Sequence, residues 1–195
     1  PIIFAMVTVA AVSGDGAALT QEQKDKLKAL GVYINYNGYG SSIEDLHFHP
    51  EALLELLLEY PSPLQVIEQK DSIFYQLESL YEADMAKAQA AQVMYENNAV
   101  KVILLEDAPW ARRVSGVLGN ELANQLPNKA HAVLTHHQES GYTVSIRAPL
   151  NNKQGADKVV TQFATGGGRA AAAGINQLSE NELTRFYQVF GDYYS

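Results

Sequence analysis

Two short stretches in the second half of the chain combine backbone freedom with permanent positive charge. Gly166-Gly167-Gly168-Arg169 places three glycines before an arginine, and Ser145-Ile146-Arg147 places a hydroxyl and a guanidinium two residues apart. Glycines in a turn allow close approach to a ligand, and consecutive N–H groups can then converge on one anion. A guanidinium matches the oxygens of a phosphate. The pair predicts a phosphate site, although each stretch alone also suits a tight turn or a solvated strand face.

Strand periodicity places the second stretch on one side of a sheet. In Tyr142–Ala148 the residues Tyr142, Val144 and Ile146 share one face, and Thr143, Ser145 and Arg147 share the other. If the first face is core, the second presents two hydroxyls and a guanidinium in a row. This arrangement suits an edge that faces a phosphate, although a solvated strand face is the commoner interpretation of the strand alone.

Other polar clusters are weaker candidates. The two histidines of Thr135-His136-His137 alternate in a predicted strand, so they point to opposite faces and cannot chelate one metal. His47-Phe48-His49 precedes Pro50 without a third zinc ligand, which favours a helix start. The segment 33–40 is rich in tyrosine and asparagine. It suits either stacking on a base or packing at a helix end, and the second is favoured.

Composition limits the classes of function. The chain has 195 residues, a net charge of −8 and no cysteine, which excludes disulfides, thiolate zinc sites and a cysteine nucleophile. All five arginines follow residue 100, in agreement with an anion site in the second half. The overall acidity argues against a general binder of duplex DNA.

The first twelve residues are apolar but shorter than the roughly 20 residues that span a membrane. They carry no basic leader and no cleavage signal, so a core helix or strand is predicted. A chain that begins on a core segment is expected to be a piece of a longer protein. Cytoplasmic location without membrane contact is the default expectation, and the sequence leaves a homodimer open.

Helical signals dominate residues 1–98. Thr20 and Gln23 form a capping box for a helix that Gly31 is expected to end. Pro50 opens a leucine-rich helix to about Glu59, predicted to be well buried, and a short helix through Val66 and Ile67 follows. Residues 72–95 are predicted to form one long helix.

After Asn97-Asn98 the pattern changes to alternating strands and helices. The predicted strands are 100–105, 130–137 and 142–148, with a further strand late in 170–178, and the predicted helices are 110–126, 155–164 and about 179–190. The fold class expected is α/β, with an N-terminal helical region followed by a C-terminal domain with a mixed sheet.

This ordered set of motifs resembles the DHH-associated C-terminal domain of RecJ-like nucleases, nanoRNases and related phosphoesterases. That family carries Ser-x-Arg in a strand, then Gly-Gly-Gly-His and Ala-Ala-Gly. Ser145 and Arg147 match the first motif, Gly166, Gly167 and Gly168 match the glycines, and Ala172-Ala173-Gly174 matches the last. The family histidine is replaced by Arg169, which keeps a donor and a charge but cannot shuttle a proton at neutral pH. The resemblance covers about residues 100–190.

The resemblance implies a two-lobed enzyme with two divalent metals, Mn²⁺ or Mg²⁺, in an N-terminal catalytic lobe. The Asp-His-His triplet of that lobe and its Asp-x-Asp are absent from the sequence. Ser13-Gly14-Asp15-Gly16 loosely resembles a late metal-binding motif, which makes Asp15 a candidate ligand, although a turn aspartate is the commoner interpretation.

Residues 1–98 are therefore expected to hold the end of a catalytic lobe and a linker, and residues 99–195 the substrate-binding domain. The implied partner is a short oligonucleotide, a nucleotide or another phosphorylated substrate. Ser145, Arg147, Gly166, Gly167, Gly168 and Arg169 are the candidate binding residues, no catalytic residue is assigned, and these 195 residues alone are expected to be inactive. The alternative is a non-catalytic scaffold or oligomerisation module.

Overall fold

The computed structural model of the chain describes residues 19–137 and 139–195. Contacts divide the chain into two compact units, Pro1–Ala86 and Lys87–Ser195. The first unit is helical where it is described, and the second contains a six-stranded mixed sheet with helices. The predicted fold class is thus confirmed. No helix in the described ranges is long and apolar enough to cross a membrane.

The first unit consists of helices joined by short turns. Its elements are α1 (Gln21–Asn37), a one-turn 3₁₀ helix (Ile43–Asp45), α2 (Pro50–Leu58), α3 (Pro63–Glu68) and α4 (Ile73–Gln89), the last of which ends in the second unit.

The capping box at the start of α1 is confirmed, but the predicted end of the helix is wrong. Gln23 N–H donates to Thr20 Oγ1 at 3.2 Å, and Thr20 N–H donates to the Gln23 side chain at 3.0 Å. Gly31 lies inside α1, which continues to Asn37. An interior glycine costs only about 1 kcal/mol relative to alanine. Burial of Leu30 and Ile34 on either side offsets that cost.

The core of the first unit is formed by α1, α3 and α4, and α2 contributes little to it. Leu53 is the buried residue of α2, whereas Leu54 and Leu58 are 41% and 73% exposed. The prediction that this helix is well buried was wrong. Leucines surround the helix, but a single helix lying on a core buries only one stripe.

The second unit carries the sheet. Its elements are β1 (Gln92–Glu96), β2 (Val100–Leu104), α5 (Pro109–Gln125), β3 (Ala130–His136), β4 (Tyr142–Arg147), α6 (Ala156–Val160), β5 (Gly166–Arg169), β6 (Ala172–Leu178), a 3₁₀ turn (Glu180–Glu182) and α7 (Leu183–Tyr194). The strand order is β1-β2-β3-β4-β6-β5. The β2–β3 pair is parallel and the other pairs are antiparallel.

Strand β1 corrects the prediction of a helix over 72–95. The helix ends at Gln89, and β1 then forms a hairpin with β2. The Asn97 carboxamide oxygen accepts N–H bonds from Ala99 and Val100, both at 2.8 Å, and so closes the turn. Periodicity over one short strand cannot be told from a continuing helix, and tertiary pairing with β2 decided the outcome.

Helices cover both faces of the sheet. One face packs on α6 and α7 and forms the main core, with Ile146, Ile175, Phe186 and Phe190 fully buried. Helix α5 packs on the other face, against β3 and β4. Ser145 and Arg147 belong to this second face because they alternate with the core residues Val144 and Ile146.

Candidate functional site

The glycine-rich stretch is a strand, which corrects the predicted turn. Gly166–Arg169 forms the edge strand β5, and Ala170-Ala171 makes the tight turn into β6. Along a strand, successive N–H groups point in alternate directions within the sheet plane. They therefore do not converge on one anion, and the predicted cradle of consecutive N–H groups was wrong.

The three glycines of β5 differ in what surrounds them. A Cβ on Gly166 would lie 1.7 Å from the carbonyl oxygen of Val160. Gly168 has a φ of 146°, which side chains rarely adopt, and its Cβ would lie 2.4 Å from Ala173 Cα. Around Gly167 no atom lies within 4 Å of such a Cβ. The backbone around Gly166 and Gly168 thus has no room for a side chain, whereas the space beside Gly167 is open.

Strand register brings the predicted residues together in two rows. Ser145 is opposite Gly174, which is opposite Gly167, and Arg147 is opposite Ala172, which is opposite Arg169. Paired residues in a sheet share a face. We call the surface formed by these two rows the shelf; its members are Ser145, Gly174, Gly167, Arg147, Ala172 and Arg169.

The shelf is flat because its middle carries almost no side chains. Gly167 and Arg169 are exposed, and Gly174 and Ala172 are partly so. The two arginines lie two strand spacings apart, about 10 Å between backbones. A small anion lying over the glycines would therefore meet the Ser145 hydroxyl on one side and Arg169 on the other.

The two arginines are held differently. The guanidinium of Arg147 turns toward α5: Nε donates to Asn120 Oδ1 at 2.8 Å, and Nη1 donates to Ser145 Oγ at 3.1 Å. Its Nη2 donates to the Gly116 carbonyl at 3.3 Å. Arg147 thereby ties α5 to β4 and orients the Ser145 hydroxyl. Arg169 is exposed, and its guanidinium makes no hydrogen bond or ion pair with any residue that the structure describes.

His131 is a residue of this row that sequence reasoning missed. It lies between Lys101 and Arg147 in register, is fully buried, and neither ring nitrogen has a hydrogen-bond partner in the described residues. Burial, followed by the charges of Lys101 and Lys129, lowers the pKa of His131 to about 4. The available signal was the apolar run Ala132-Val133-Leu134 around it, which indicates a strand buried on both faces.

The other histidines have local packing roles. His49 Nδ1 accepts the Glu51 N–H at 3.3 Å at the start of α2, as predicted. His47 Nε2 lies 2.9 Å from the Tyr36 hydroxyl, which donates to buried Asp84. Tyr36 is fully buried at the end of α1, which supports packing over base stacking.

A metal site is not found in the described ranges. No group of three or more His, Asp or Glu side chains there is arranged to hold an ion. His136 is exposed and packs against Tyr142, and His137 Nδ1 accepts the Glu139 N–H at 3.2 Å. Asp15 lies outside the described residues. The described residues alone thus do not fit a two-metal centre.

Comparison with solved structures decides the fold type. A pGpG-specific phosphodiesterase, PggH from Vibrio cholerae, matches 97% of this chain at a TM-score of 0.54 and 14% identity. The exonuclease RecJ bound to manganese matches 98% at a TM-score of 0.51 and 16% identity. The chain has a DHH-like fold.

Comparisons of the whole sequence find no counterpart to this similarity in fold. No family model matches the chain, and no curated protein does. The chain spans 68% of the PggH structure and 45% of the RecJ structure, so both contain regions beyond the matched part.

Proposed function

We propose that residues 99–195 form the substrate-binding domain of a metal-dependent phosphoesterase of the DHH type, and that the shelf binds a phosphate of a short nucleotide. The observation that carries this proposal is the strand register, which aligns Ser145 with Gly167 and Arg147 with Arg169 on one face. The fold similarity to a phosphodiesterase and an exonuclease supports the reaction class.

Each part of the shelf has a distinct task in this proposal. Arg169 supplies the mobile charge-assisted donor, since no described residue competes for it. The Ser145 hydroxyl, oriented by Arg147 at 3.1 Å, supplies a second hydrogen bond. Gly167 and Gly174 let the phosphate approach the sheet, and Gly166 and Gly168 preserve the backbone that shapes it.

Hydrolysis needs groups that the described residues do not supply. In the proposed enzyme a catalytic lobe would hold Mn²⁺ or Mg²⁺ for the hydrolysis, and Asp15 is the candidate ligand in this chain. The described residues bind and orient the substrate and transfer no proton. The proposed location is the cytoplasm.

The binding test uses a thymidine dinucleotide without terminal phosphate, whose single phosphodiester keeps its charge over the pH range used. Isothermal titration in EDTA should detect binding that Arg169→Ala weakens about tenfold, the loss of one charge-assisted hydrogen bond. Lys158→Ala is the matched control because it removes one exposed positive charge from α6, outside the shelf. Equal affinity of wild type and Arg169→Ala would contradict the assignment.

Because an arginine replaces the family histidine, the pH dependence of the dinucleotide affinity gives a second test. Arginine stays charged between pH 5.5 and 8, so wild-type affinity for this dinucleotide should be flat. Arg169→His should bind progressively more weakly as the pH rises through about 6.5, where an ordinary histidine loses its proton. A wild-type affinity that falls near pH 6.5 would show that another group carries the charge.

A scaffold role is the second candidate, and the exposed leucines of α2 favour it. Leu58 is 73% exposed and Leu54 41% exposed on the same short helix. Light scattering on wild type and a Leu54→Gln/Leu58→Gln variant separates the two functions. The scaffold role would be favoured if the wild type is a dimer, the variant is a monomer, and the wild type does not bind the dinucleotide.

A further inference from the structure

The side chain of Arg147 lies along one face of α5. A Cβ on Gly119 would be 3.4 Å from Arg147 Cγ, so the helix backbone lies directly against the aliphatic part of the arginine. The next residue, Asn120, reaches the guanidinium, and its Oδ1 accepts the Nε–H at 2.8 Å. One turn earlier, the Gly116 carbonyl accepts an N–H of Nη2 at 3.3 Å. These three residues share a helix face because they are three and four positions apart.

The contacts with α5 and β4 engage most of the donors of Arg147. A guanidinium carries five N–H groups. Its Nε donates to Asn120 and its Nη2 to Gly116, and Nη1 has two acceptors, the Ser145 hydroxyl and the Ile146 carbonyl, both at 3.1 Å. Arg147 is therefore suited to hold a neighbouring group in place, and less suited to surround an anion with its own N–H groups.

The group that Arg147 holds on the shelf is the Ser145 hydroxyl. Because Ser145 Oγ accepts the Nη1 N–H, its single proton is left to donate in another direction. A hydrogen bond accepted from a cation also polarises the O–H bond and strengthens the bond that the hydroxyl donates. In this arrangement the hydroxyl is a donor, which suits an anionic oxygen over the shelf.

Resting on the proposed function of the shelf, we propose that Asn120 is a positioning residue for anion binding. Asn120 holds the Arg147 guanidinium against α5, and the held guanidinium fixes the Ser145 hydroxyl as a donor toward the shelf. Asn120 does not touch the ligand. Its effect on affinity passes through Arg147 and Ser145, which distinguishes it from Arg169, the proposed direct partner of the phosphate.

The first measurement needs no ligand. NMR follows the exchange of the Arg147 Nε–H with water, and the signal that is missing from Arg147→Lys identifies it. In Asn120→Ala this exchange should be about tenfold faster than in wild type, because a hydrogen bond of a charged donor is lost. Asn120→Asp keeps an accepting oxygen and should restore the slow exchange. Ser145→Ala leaves the Nε contact intact and should also exchange slowly.

The second measurement is a double-mutant cycle on the affinity for the thymidine dinucleotide in EDTA. Asn120→Ala should weaken binding about fivefold and Ser145→Ala about tenfold. In a Ser145→Ala background, Asn120→Ala should have no further effect, because the group through which it acts is already gone. A merely structural change in α5 would weaken binding by the same factor in both backgrounds.

Asn124→Ala is the matched control. Asn124 lies one turn further along α5 and is exposed, as Asn120 is, so this variant should bind like wild type. Alanine is also the better helix former at both positions, so neither substitution endangers the fold.

The outcomes separate this role from the proposed function. If wild type does not bind the dinucleotide, the shelf fails and the positioning role fails with it. If wild type and Asn120→Ala bind equally, the shelf stands and the positioning role is overturned. Unchanged Nε–H exchange in Asn120→Ala overturns it as well, and so does a loss of affinity that persists in the Ser145→Ala background.

Discussion

At the residue scale, a row of basic side chains crosses the sheet, and each is held in a different state. Lys101 pairs with Glu96 at 3.8 Å, His131 is buried and neutral, Arg147 is bonded to α5, and Arg169 is exposed. Basic residues in the same row of the sheet therefore have different roles. The position of a basic residue in the strand order decides whether its side chain braces the fold or stays exposed.

The glycines of β5 allow a clean separation of folding from binding. Gly166→Ala forces a Cβ against the Val160 carbonyl and should lower the free energy of unfolding by about 1–3 kcal/mol. Gly167→Val places a strand-favouring side chain in open space, so stability should hardly change. The valine should nevertheless abolish dinucleotide binding by filling the shelf.

Urea unfolding monitored by Trp110 fluorescence measures the loss of stability in Gly166→Ala, because Trp110 is the single tryptophan of the chain and lies in the second unit. Titration with the dinucleotide measures the second. If Gly167→Val binds the dinucleotide with wild-type affinity, the middle of β5 is not part of the binding site.

His131 predicts a pH dependence of stability. Its pKa is about 4 in the folded protein and about 6.5 unfolded, so the unfolded chain binds the proton first as the pH falls. The contribution is complete above pH 6.5 and is lost between 6.5 and 4. From pH 8 to 4.5, wild type should lose about 2–3 kcal/mol more than His131→Leu. Parallel stability curves for the two proteins, from urea titrations at each pH, would contradict this.

At the element scale, local signals placed most of the helix starts, and packing placed the ends. The capping box at Thr20 is local, and so is Pro50 at the first position of α2. The ends of α1 and α4 depend on buried neighbours and on β1, which no short window contains.

The capping box gives a prediction for the first unit. Thr20→Ala removes the acceptor for the Gln23 N–H and should lower stability by about 1 kcal/mol. Thr20→Ser keeps the oxygen and should behave like wild type. Helical circular dichroism during thermal unfolding reports the change, whereas Trp110 fluorescence reports the other unit. Equal losses in both variants would mean that the methyl group, and not the cap, matters.

At the scale of the whole molecule, substrate binding and hydrolysis are expected to separate. The chain spans 68% of PggH and 45% of RecJ, and its sequence contains no Asp-His-His. We therefore expect these 195 residues to bind the dinucleotide and not to hydrolyse it in Mn²⁺. Chromatography of the dinucleotide after incubation with the chain measures this. Turnover that tracks the protein through purification and is lost in Asp15→Ala would overturn the expectation.

The sequence by itself determined the fold class, the strands β2, β3, β4 and β6 of the second unit and the identity of the candidate residues. Strand alternation assigned Ser145 and Arg147 to one face, and the capping residues placed α1 and α2. These features depend on a few neighbouring residues, so a linear pattern contains them.

Only the tertiary structure decided how those residues meet. The pairing of β6 between β4 and β5 turns the glycine stretch into a strand and brings Arg169 into register with Arg147 through Ala172. The docking of α5 bends Arg147 toward Asn120, and the parallel pairing of β2 with β3 buries His131. Strand order and helix docking join residues far apart in the chain, and local periodicity carries no information about those long-range contacts.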